Sequence, residues 1–577
     1  MLALPASGSV PARDDTARPD PRSYRLDAAD IQALVALAGT GAAASPAGDA
    51  KSPQPPQLPT PDQLGALLAP LLSVDHPSEG LFRAALRLSV CTEFKALLRK
   101  AAKAGDADIA AQMRDAGVDL VADCAPTADA AARANTAALQ AGAAVPALYR
   151  QLMPGSLRET VVARALKLHP LQQPMATQWT AAADCGCAPD SSRSDVHAFA
   201  SYWGSVAQQQ DAAPAAKPVT REVDFSLMTR MSHVGAVLSD EADFDFPAPV
   251  RNQGLDLVRV ARRHNAQVDL VIYRGRWRQP LPVCAAASSE RDDFCRKAAR
   301  NAIALIDAPA TRPEGPAAWW PGSAGRKERA YDGLTLFFDN APAAAPDGAD
   351  PYAAFFKAFV GVLVHEMQRT GRPYHLNIVV PAAELGENGR YRFDEMVKTL
   401  HSAVPRLKRA DPGSLDQDFE GKTPISVNYI VQVAEPAGAN MKALRARIDQ
   451  STSVRGQHRV SLLRSLLPML LSPHSQQPPW ARQTPIKQFG DDLAYAGWNF
   501  GGAALWEPPS ATAQPDMSKA VTDTVRSGEP VSWPALASFV CRHRLWLRVG
   551  LWTSVPLALL LFGVWRASDT LRRSKAS

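Results

Sequence analysis

The run from Tyr331 to Asp339 ends in a carboxylate that could take part in acid catalysis. It reads Tyr-Asp-Gly-Leu-Thr-Leu-Phe-Phe-Asp and has the apolar composition of a buried β-strand. Because side chains alternate along a strand, Thr335, Phe337 and Asp339 share one face. The Phe337 ring would desolvate the Asp339 carboxyl and raise its pKa, which suits a general acid. The structural alternative is that Asp339 caps the loop that follows it.

Aromatic and polar side chains lie near the ends of the other predicted strands. The substrate-binding candidates are Tyr273, Trp203, Asn428, Trp506 and Glu507. Aromatic rings in such positions are what stacking on a sugar requires, and they also occur at the rim of any closed barrel. Both interpretations stay open at this stage.

Short apolar runs alternate with helical patterns from about residue 185 to residue 509. They predict strands at Val196–Trp203, Ser232–Leu238, Val268–Tyr273, Leu334–Asp339, His375–Val380, Ser426–Val433, Leu466–Leu471 and Gly502–Glu507. Eight strands with crossover helices predict an α/β fold, a TIM-like (β/α)8 barrel. A doubly wound open sheet is the alternative, but the glycine-rich nucleotide fingerprint it often carries is missing.

Four of these segments resemble the chitinase-like barrels of glycoside hydrolase family 18. The run ending at Asp339 resembles the family's strand-four signature, DGxDxDxE. VHAFASYWG resembles the opening strand, VDFSLMTRMSHVGAVL the second, and FGGAALWEPP the eighth strand with its sugar-site tryptophan. A Cys-Gly-Cys at 185–187 is similar to a bacterial envelope subgroup.

The resemblance implies hydrolysis of β-linked N-acetylglucosamine sugars with assistance from the substrate's acetamide. Asp339 stands where the family has its acid, Tyr429 where a tyrosine supports the acetamide, and Trp506 where a tryptophan floors the site. Two positions depart from the pattern, because Thr335 and Phe337 replace inner aspartates.

Three functions are therefore weighed. The chain could be a membrane-anchored glycoside-hydrolase-like protein that acts on or binds an amino-sugar glycan of the cell envelope or exterior. It could be a catalytically inactive barrel that binds glycan or protein. It could also be an envelope scaffold in which the helical domain binds a protein partner and the barrel is a spacer. An open mouth with Asp339 at its floor would support the first two, and a plugged mouth the third.

The chain before the barrel is predicted to be a small all-α domain over residues 29–180. Thr60-Pro61-Asp62-Gln63 has the composition of a helix start, with a capping threonine and a proline at the first position. Residues 1–28 are predicted to be disordered or the remnant of a signal peptide, and residues 510–540 a polar linker.

The C-terminal part contains an uncharged apolar run from Val549 to Trp565. We predict a transmembrane helix over 545–566 followed by a basic tail at 567–577. The protein would be a single-pass membrane protein with its bulk periplasmic or extracellular.

Cysteine usage and charge complete the sequence-based expectations. Cys284 and Cys295 flank a polar loop and could close it, while Cys91 and Cys124 lie on neighbouring predicted helices. Disulfides would fit an oxidising compartment, with buried reduced thiols as the alternative. No zinc-type spacing or cofactor motif is found, so we expect neither metal nor cofactor. A net charge of +6 over 577 residues, without a concentrated basic stripe, does not indicate nucleic-acid binding.

Overall fold

The computed structural model describes an N-terminal domain, a barrel with its surrounding helices, and one helix that follows the barrel. The described residues are 20–42, 59–103, 153, 155–181, 195–204, 219–285, 287, 289, 292–310, 329–344, 350–404, 424–471, 486–509 and 515–525, with several positions between 547 and 566.

The strands and helices are numbered in chain order. The strands are β1 Arg22–Tyr24, β2 Leu166–Leu168, β3 Thr177–Ala181, β4 Asp195–Ser201, β5 Val219–Val223, β6 Arg230–Leu238, β7 Phe244–Asp245, β8 Gln267–Arg274, β9 Gly333–Phe338, β10 Tyr374–Pro381, β11 Leu385–Gly386, β12 Tyr391–Arg392, β13 Ile425–Gln432, β14 Leu466–Leu471 and β15 Gly502–Trp506. The helices are α1 Ala28–Ala42, α2 Pro61–Leu68, α3 Glu79–Lys103, α4 Gly155–Ala165, α5 Ala248–Arg263, α6 Phe294–Asp307, α7 Pro351–Arg369, α8 Phe393–Ala403, α9 Ala437–Gln450, α10 Gln457–Ser465, α11 Ile486–Asn499 and α12 Pro515–Val525.

Eight parallel strands close into a barrel. Their order is β4, β6, β8, β9, β10, β13, β14 and β15, and β15 pairs with β4 to complete the ring. The predicted TIM-like α/β fold is confirmed, and all eight predicted strands are present within a few residues of their expected bounds. The open-sheet alternative is excluded by the β15–β4 pairing.

Alternation along each strand separates two apolar layers. On β9, Leu334, Leu336 and Phe338 pack outward against the helices, whereas Phe337 belongs to a second cluster inside the barrel. The outer layer includes α7, whose inner face buries Phe355 and Phe359. Both layers exclude water, so the barrel is a filled core rather than a channel.

A buried polar network occupies the interior near the N-terminal ends of the strands. Arg230 on β6 donates to Asp269 on β8 at 2.5 Å, and the Asn377 amide on β10 donates to the other Asp269 oxygen at 2.8 Å. Ser232 and Thr335 share a 2.6 Å hydrogen bond above this pair. Burial raises the pKa of Asp269 to about 6, although the charge of Arg230 opposes the shift.

The N-terminal helices pack around their own core, which includes Leu26, Leu64 and Phe82. The predicted helix start is present as a capping box, in which the Thr60 hydroxyl accepts from the Gln63 amide while Gln63 accepts from the Thr60 amide. Residues 104–152 of the predicted all-α domain lie outside the described residues.

This domain is not purely helical, in contrast to the expectation. Residues 22–24, expected to be disordered, form β1, and residues 166–168, within the predicted all-α domain, form β2. The two strands pair antiparallel, Ser23 and Tyr24 are buried, and Tyr24 belongs to the core of the N-terminal domain. A strand of three residues carries little sequence signal of its own, because only tertiary pairing stabilises it.

The cysteine and C-terminal predictions have mixed outcomes. Cys284 and Cys295 form a disulfide. The side chains of Cys91, Cys124, Cys185, Cys187 and Cys541 lie outside the described residues. Helix α12 lies within the predicted linker 510–540 and packs on α11.

The predicted membrane span, 545–566, lies partly outside the described residues. Among the residues that are described, no helix has both the length and the apolar character needed to cross a bilayer.

The buried ion pair makes a stability prediction. We expect Asp269→Ala to lower the free energy of unfolding by about 3–5 kcal/mol, because it leaves the Arg230 guanidinium buried without its counter-charge. Lys398→Ala removes a solvent-exposed ion pair with Asp394 and Glu395 and is the control, expected to have no measurable effect. Urea unfolding of both variants makes the comparison; equal midpoints would contradict the assignment of Arg230–Asp269 as a structural pair.

Candidate active site

Asp339 lies at the mouth of the barrel, directly after β9. Thr335, Phe337 and Asp339 follow one another up the inner face of this strand, and only 9% of the Asp339 surface is exposed. The C-terminal ends of parallel strands are where barrel enzymes place their reacting groups. Position alone therefore allows a catalytic role for Asp339.

Burial of the Asp339 carboxyl favours its protonated form, whereas the hydrogen bonds that it accepts favour its ionised form. Tyr273 donates its hydroxyl to Asp339 Oδ2 at 3.4 Å, and the Asn340 amide donates to the same oxygen at 3.2 Å. Burial raises the pKa of Asp339 to about 6, while the positive charge of Arg22 opposes the shift. A carboxylic acid with this pKa can donate a proton near neutral pH.

An aromatic block fills the barrel beneath Asp339. The Phe337 ring lies 5.7 Å from Tyr273 and 6.1 Å from Trp506, measured between centroids, and Phe199 lies 5.3 Å from Trp506. All four side chains belong to the interior cluster. Phe337 thus stands where the resemblance expects an acetamide-orienting carboxylate, and its ring cannot accept a hydrogen bond from an acetamide N–H.

Tyr429 does not reach the barrel interior, contrary to the expectation. On β13 it faces the helices, and its hydroxyl donates to the Met396 carbonyl of α8 at 3.3 Å. Asn428, its neighbour, is on the inner face but pairs in register with Asn377, which pairs with Thr335. Asn428 is therefore level with the polar network, two layers of side chains away from Asp339.

The mouth is covered by the N-terminal domain. The Trp506 indole donates to Asp75 Oδ2 at 3.2 Å, the Ser78 hydroxyl donates to the Gln432 side chain at 3.2 Å, and Arg22 donates to the Gly275 carbonyl at 2.8 Å. These bonds bind three different strand ends of the barrel to β1 and to the segment before α3. Trp506 is 3% exposed, so its ring is not available as a sugar platform in this arrangement.

Trp203 is held in the same interface. Its ring stacks on His169 with centroids 4.0 Å apart and an interplanar angle of 5°. The His169 ring shares a 2.9 Å hydrogen bond with Ser23, and its carbonyl accepts from the Tyr202 hydroxyl. Burial lowers the pKa of His169 to about 3, so the stacked imidazole is neutral at physiological pH.

Glu507 directly follows β15, and its backbone adopts the left-handed conformation with φ of 63°. Ser201 donates its hydroxyl to the Glu507 carboxylate. Burial raises the pKa of Glu507, and the charge of Arg221 opposes this. Glu507 therefore joins the last barrel strand to the first one rather than extending into an open groove.

The residues that close the mouth were not among the sequence-predicted candidates. Arg22, Asp75, Ser78 and His169 come from segments to which no chemistry was assigned. One signal was present: Ser23-Tyr24-Arg25-Leu26-Asp27 alternates in polarity, as a half-buried strand does. Among the described residues, no group of three or more His, Cys, Asp or Glu side chains is arranged to hold a metal ion.

No family model matches the chain, and no curated protein matches it. Among solved structures, a chitinase from Bacteroides thetaiotaomicron is similar over 59% of this chain and 98% of its own, with 10% identity and a TM-score of 0.35. A chitinase from Rhizomucor miehei covers 57% and 99%, with 12% identity and a TM-score of 0.31. A family GH18 chitinase from Cycas revoluta, in complex with allosamidin, covers 59% and 98%, with 11% identity and a TM-score of 0.32. The scores are low, and the fold assignment rests on the strand order described above.

The Asp75 contact predicts coupling between the two domains. We expect Asp75→Ala to reduce the free energy of unfolding by about 1–3 kcal/mol, because the buried Trp506 N–H loses its acceptor. Amide hydrogen exchange should rise in β15 and in residues 73–79 together. Asp491→Ala, at an exposed position on α11, is the control. Faster exchange on one side alone would contradict a shared interface.

The Asp339 carboxyl predicts a pH dependence. Its folded pKa of about 6 lies above the unfolded value of about 3.9, so it binds its proton more tightly in the folded state. Protonated Asp339 therefore stabilises the folded state. This stabilisation is complete below about pH 4 and is lost as the pH rises through the folded pKa of about 6.

Comparing wild type with Asp339→Asn isolates this group, since the other titrating residues are common to both proteins. The stability of the variant relative to wild type should increase between about pH 4 and pH 7, by up to about 3 kcal/mol, and stay level at higher pH. Urea midpoints at half-unit pH intervals measure it. A difference that is independent of pH would show that Asp339 titrates normally.

Proposed function

We propose that this protein is a membrane-anchored, glycoside-hydrolase-like barrel without hydrolase activity, which serves as an envelope scaffold. The barrel supports and orients its N-terminal domain, and that domain makes contact with a protein partner. The observation that carries this proposal is the closed mouth, in which Asp75, Ser78 and Arg22 take up the strand ends that a substrate would need.

The missing chemistry supports the same conclusion. Substrate-assisted cleavage needs a polar group to hold the acetamide next to the acid, and here Phe337 fills that position while Tyr429 faces the helices. Asp339 retains the pKa of an acid, but the inner-face positions before it on β9 are Thr335 and Phe337, and neither carries a carboxylate that could stabilise the positive charge developing on the sugar. An acid by itself contributes only a small part of such catalysis.

The cellular location is proposed from the apolar C-terminal segment and from one disulfide bond. The apolar segment within 545–566 would anchor the chain, and the Cys284–Cys295 disulfide favours an oxidising compartment for the barrel, periplasmic or extracellular. Fractionation of cells expressing the full chain tests the anchor: recovery in the alkali-resistant membrane pellet supports it, and recovery in the supernatant contradicts it.

Turnover measurements test the absence of activity. The full chain in detergent should release no product from fluorogenic N-acetylglucosamine substrates, chitin oligosaccharides or peptidoglycan above the level of Asp339→Asn between pH 5 and pH 8. A commercial chitinase in the same detergent is the positive control. Product formation by wild type that is lost in Asp339→Asn would overturn the proposal.

A second candidate is glycan binding after the N-terminal domain moves away. The observation in its favour is the set of aromatic side chains at the mouth, Trp203, Tyr273 and Trp506, which could stack on sugar rings if uncovered. Calorimetric titration with chitin oligosaccharides compares wild type with Asp75→Ala. Binding that is stronger in Asp75→Ala and absent in Asp75→Ala/Trp506→Ala supports this candidate, and heat below detection in every variant favours the scaffold.

A further inference from the structure

Two exposed histidines meet on the helical shell of the barrel. His401 lies in the last turn of α8 and His458 in the first turn of α10, and both side chains are exposed. Their ring centroids are 4.7 Å apart, with an interplanar angle of 72°. The sequence did not indicate this pair, because the two residues are far apart in the chain and only the packing of α8 against α10 brings them together.

The ring nitrogens of this pair are not used by the fold. Within the described part of the chain, neither imidazole forms a hydrogen bond or an ion pair, and the contact between the two rings is what joins them. By contrast, His76, His169 and His197 are buried, and each uses a ring nitrogen in a hydrogen bond. The exposed pair therefore has nitrogen lone pairs that can be given to a ligand.

The ring separation matches that of two imidazoles bound to one metal ion. A ring nitrogen binds Zn²⁺ at about 2.1 Å, and for an angle of about 90–110° at the metal the two ring centroids are then about 4.5–5.2 Å apart. The observed 4.7 Å lies within this interval. An edge-to-face contact between two metal-free rings has a similar separation and is the alternative.

The backbone that carries each histidine is held in place by packing. Met396 and Val397 on α8 and Leu462 on α10 are buried in the outer apolar layer of the barrel. The Gln368 amide on α7 donates to the Ser402 carbonyl at 2.8 Å, which fixes the last turn of α8. Only the two imidazole side chains would have to adjust to bind an ion, so little loss of conformational freedom opposes binding.

The positive side chains within one turn of the pair on these helices have other partners. Lys398, one turn before His401, pairs with two carboxylates in the first turn of α8. Arg459, which follows His458, donates to two backbone carbonyls of the segment before α10. These contacts hold both cationic groups toward other parts of the surface, which reduces their repulsion of a cation between the rings.

We propose that His401 and His458 together bind one divalent transition-metal ion, such as Zn²⁺, Ni²⁺ or Cu²⁺, through one nitrogen of each ring. Imidazole nitrogen suits these ions, whereas Mg²⁺ and Ca²⁺ take oxygen ligands. Water fills the remaining coordination positions, so the site is open, unlike a structural zinc site with four protein ligands.

This metal site is separate from the mouth of the barrel. Helix α8 lies between β10 and β13 in the chain, so its last turn is at the end of the barrel where the parallel strands begin. Asp339 follows β9 at the opposite end. The proposal therefore does not depend on whether the barrel is a scaffold, and its failure would leave the proposed function unchanged.

Site-specific chemical modification tests the metal site in the full chain. Diethyl pyrocarbonate modifies exposed imidazole nitrogens, and peptide mass spectrometry measures the rate at each histidine separately. The rates are compared in detergent without metal, with Zn²⁺ buffered by a weak chelator, and with Mg²⁺. His401→Ala and His458→Ala each remove one ligand. Ser461→Ala, at an exposed position one turn after His458 on α10, is the matched control.

We expect Zn²⁺ to slow the modification of both histidines in wild type and in Ser461→Ala, and Mg²⁺ to leave both rates unchanged. In His458→Ala, the Zn²⁺ concentration that half-protects His401 should rise at least about tenfold, because even loss of an outer hydrogen-bonding partner weakens metal binding by about 10–100-fold. The reciprocal effect is expected at His458 in His401→Ala. Circular dichroism checks that each variant is folded.

Three results would overturn the proposal. Rates at both histidines that are unchanged in excess Zn²⁺ would show that the rings only pack against each other. Protection of His401 that is equal in wild type and in His458→Ala would show that the two residues do not share an ion. Equal protection by Mg²⁺ would contradict the assignment to a transition metal.

Discussion

Closure of eight parallel strands into a barrel is the constraint on which the rest of this structure depends. Once β15 pairs with β4, every second side chain of each strand must enter a space with no outlet. That space has to be filled, and its polar groups have to be satisfied by one another. The Arg230–Asp269–Asn377 network near one end and the aromatic block around Phe337 above it are two solutions of this requirement.

The need to satisfy buried polar groups also explains the contacts by which the N-terminal domain closes the mouth of the barrel. An enzyme leaves polar groups at the strand ends for its substrate, and these are solvated when the substrate is absent. Here Trp506 and Gln432 bond to Asp75 and Ser78 instead, and Trp203 stacks on His169. The contacts satisfy buried donors and cover aromatic surface, so the interface stabilises both domains at the expense of access to Asp339.

The sequence predicted the barrel well and its site only in part. Strand positions followed from short apolar runs, because a strand buried on both faces has a composition that few other elements share. The alternation that puts Thr335, Phe337 and Asp339 on one face is likewise a local property of the chain. For Tyr429 the same rule was available, yet the facing of β13 depended on the register with β10, which no local pattern specifies.

What the sequence by itself determined is the set of elements: eight strands, their helices, the Thr60–Gln63 capping box and the carboxylate at the end of β9. These depend on periodicity and on side chains a few residues apart. What only the tertiary structure decided is which surfaces meet. Asp75 and Trp506 are 431 positions apart, and β1 exists because Leu166–Leu168 pairs with it. Contacts at such separations depend on how the folded elements pack, and so the closing of the mouth could not be predicted from the chain alone.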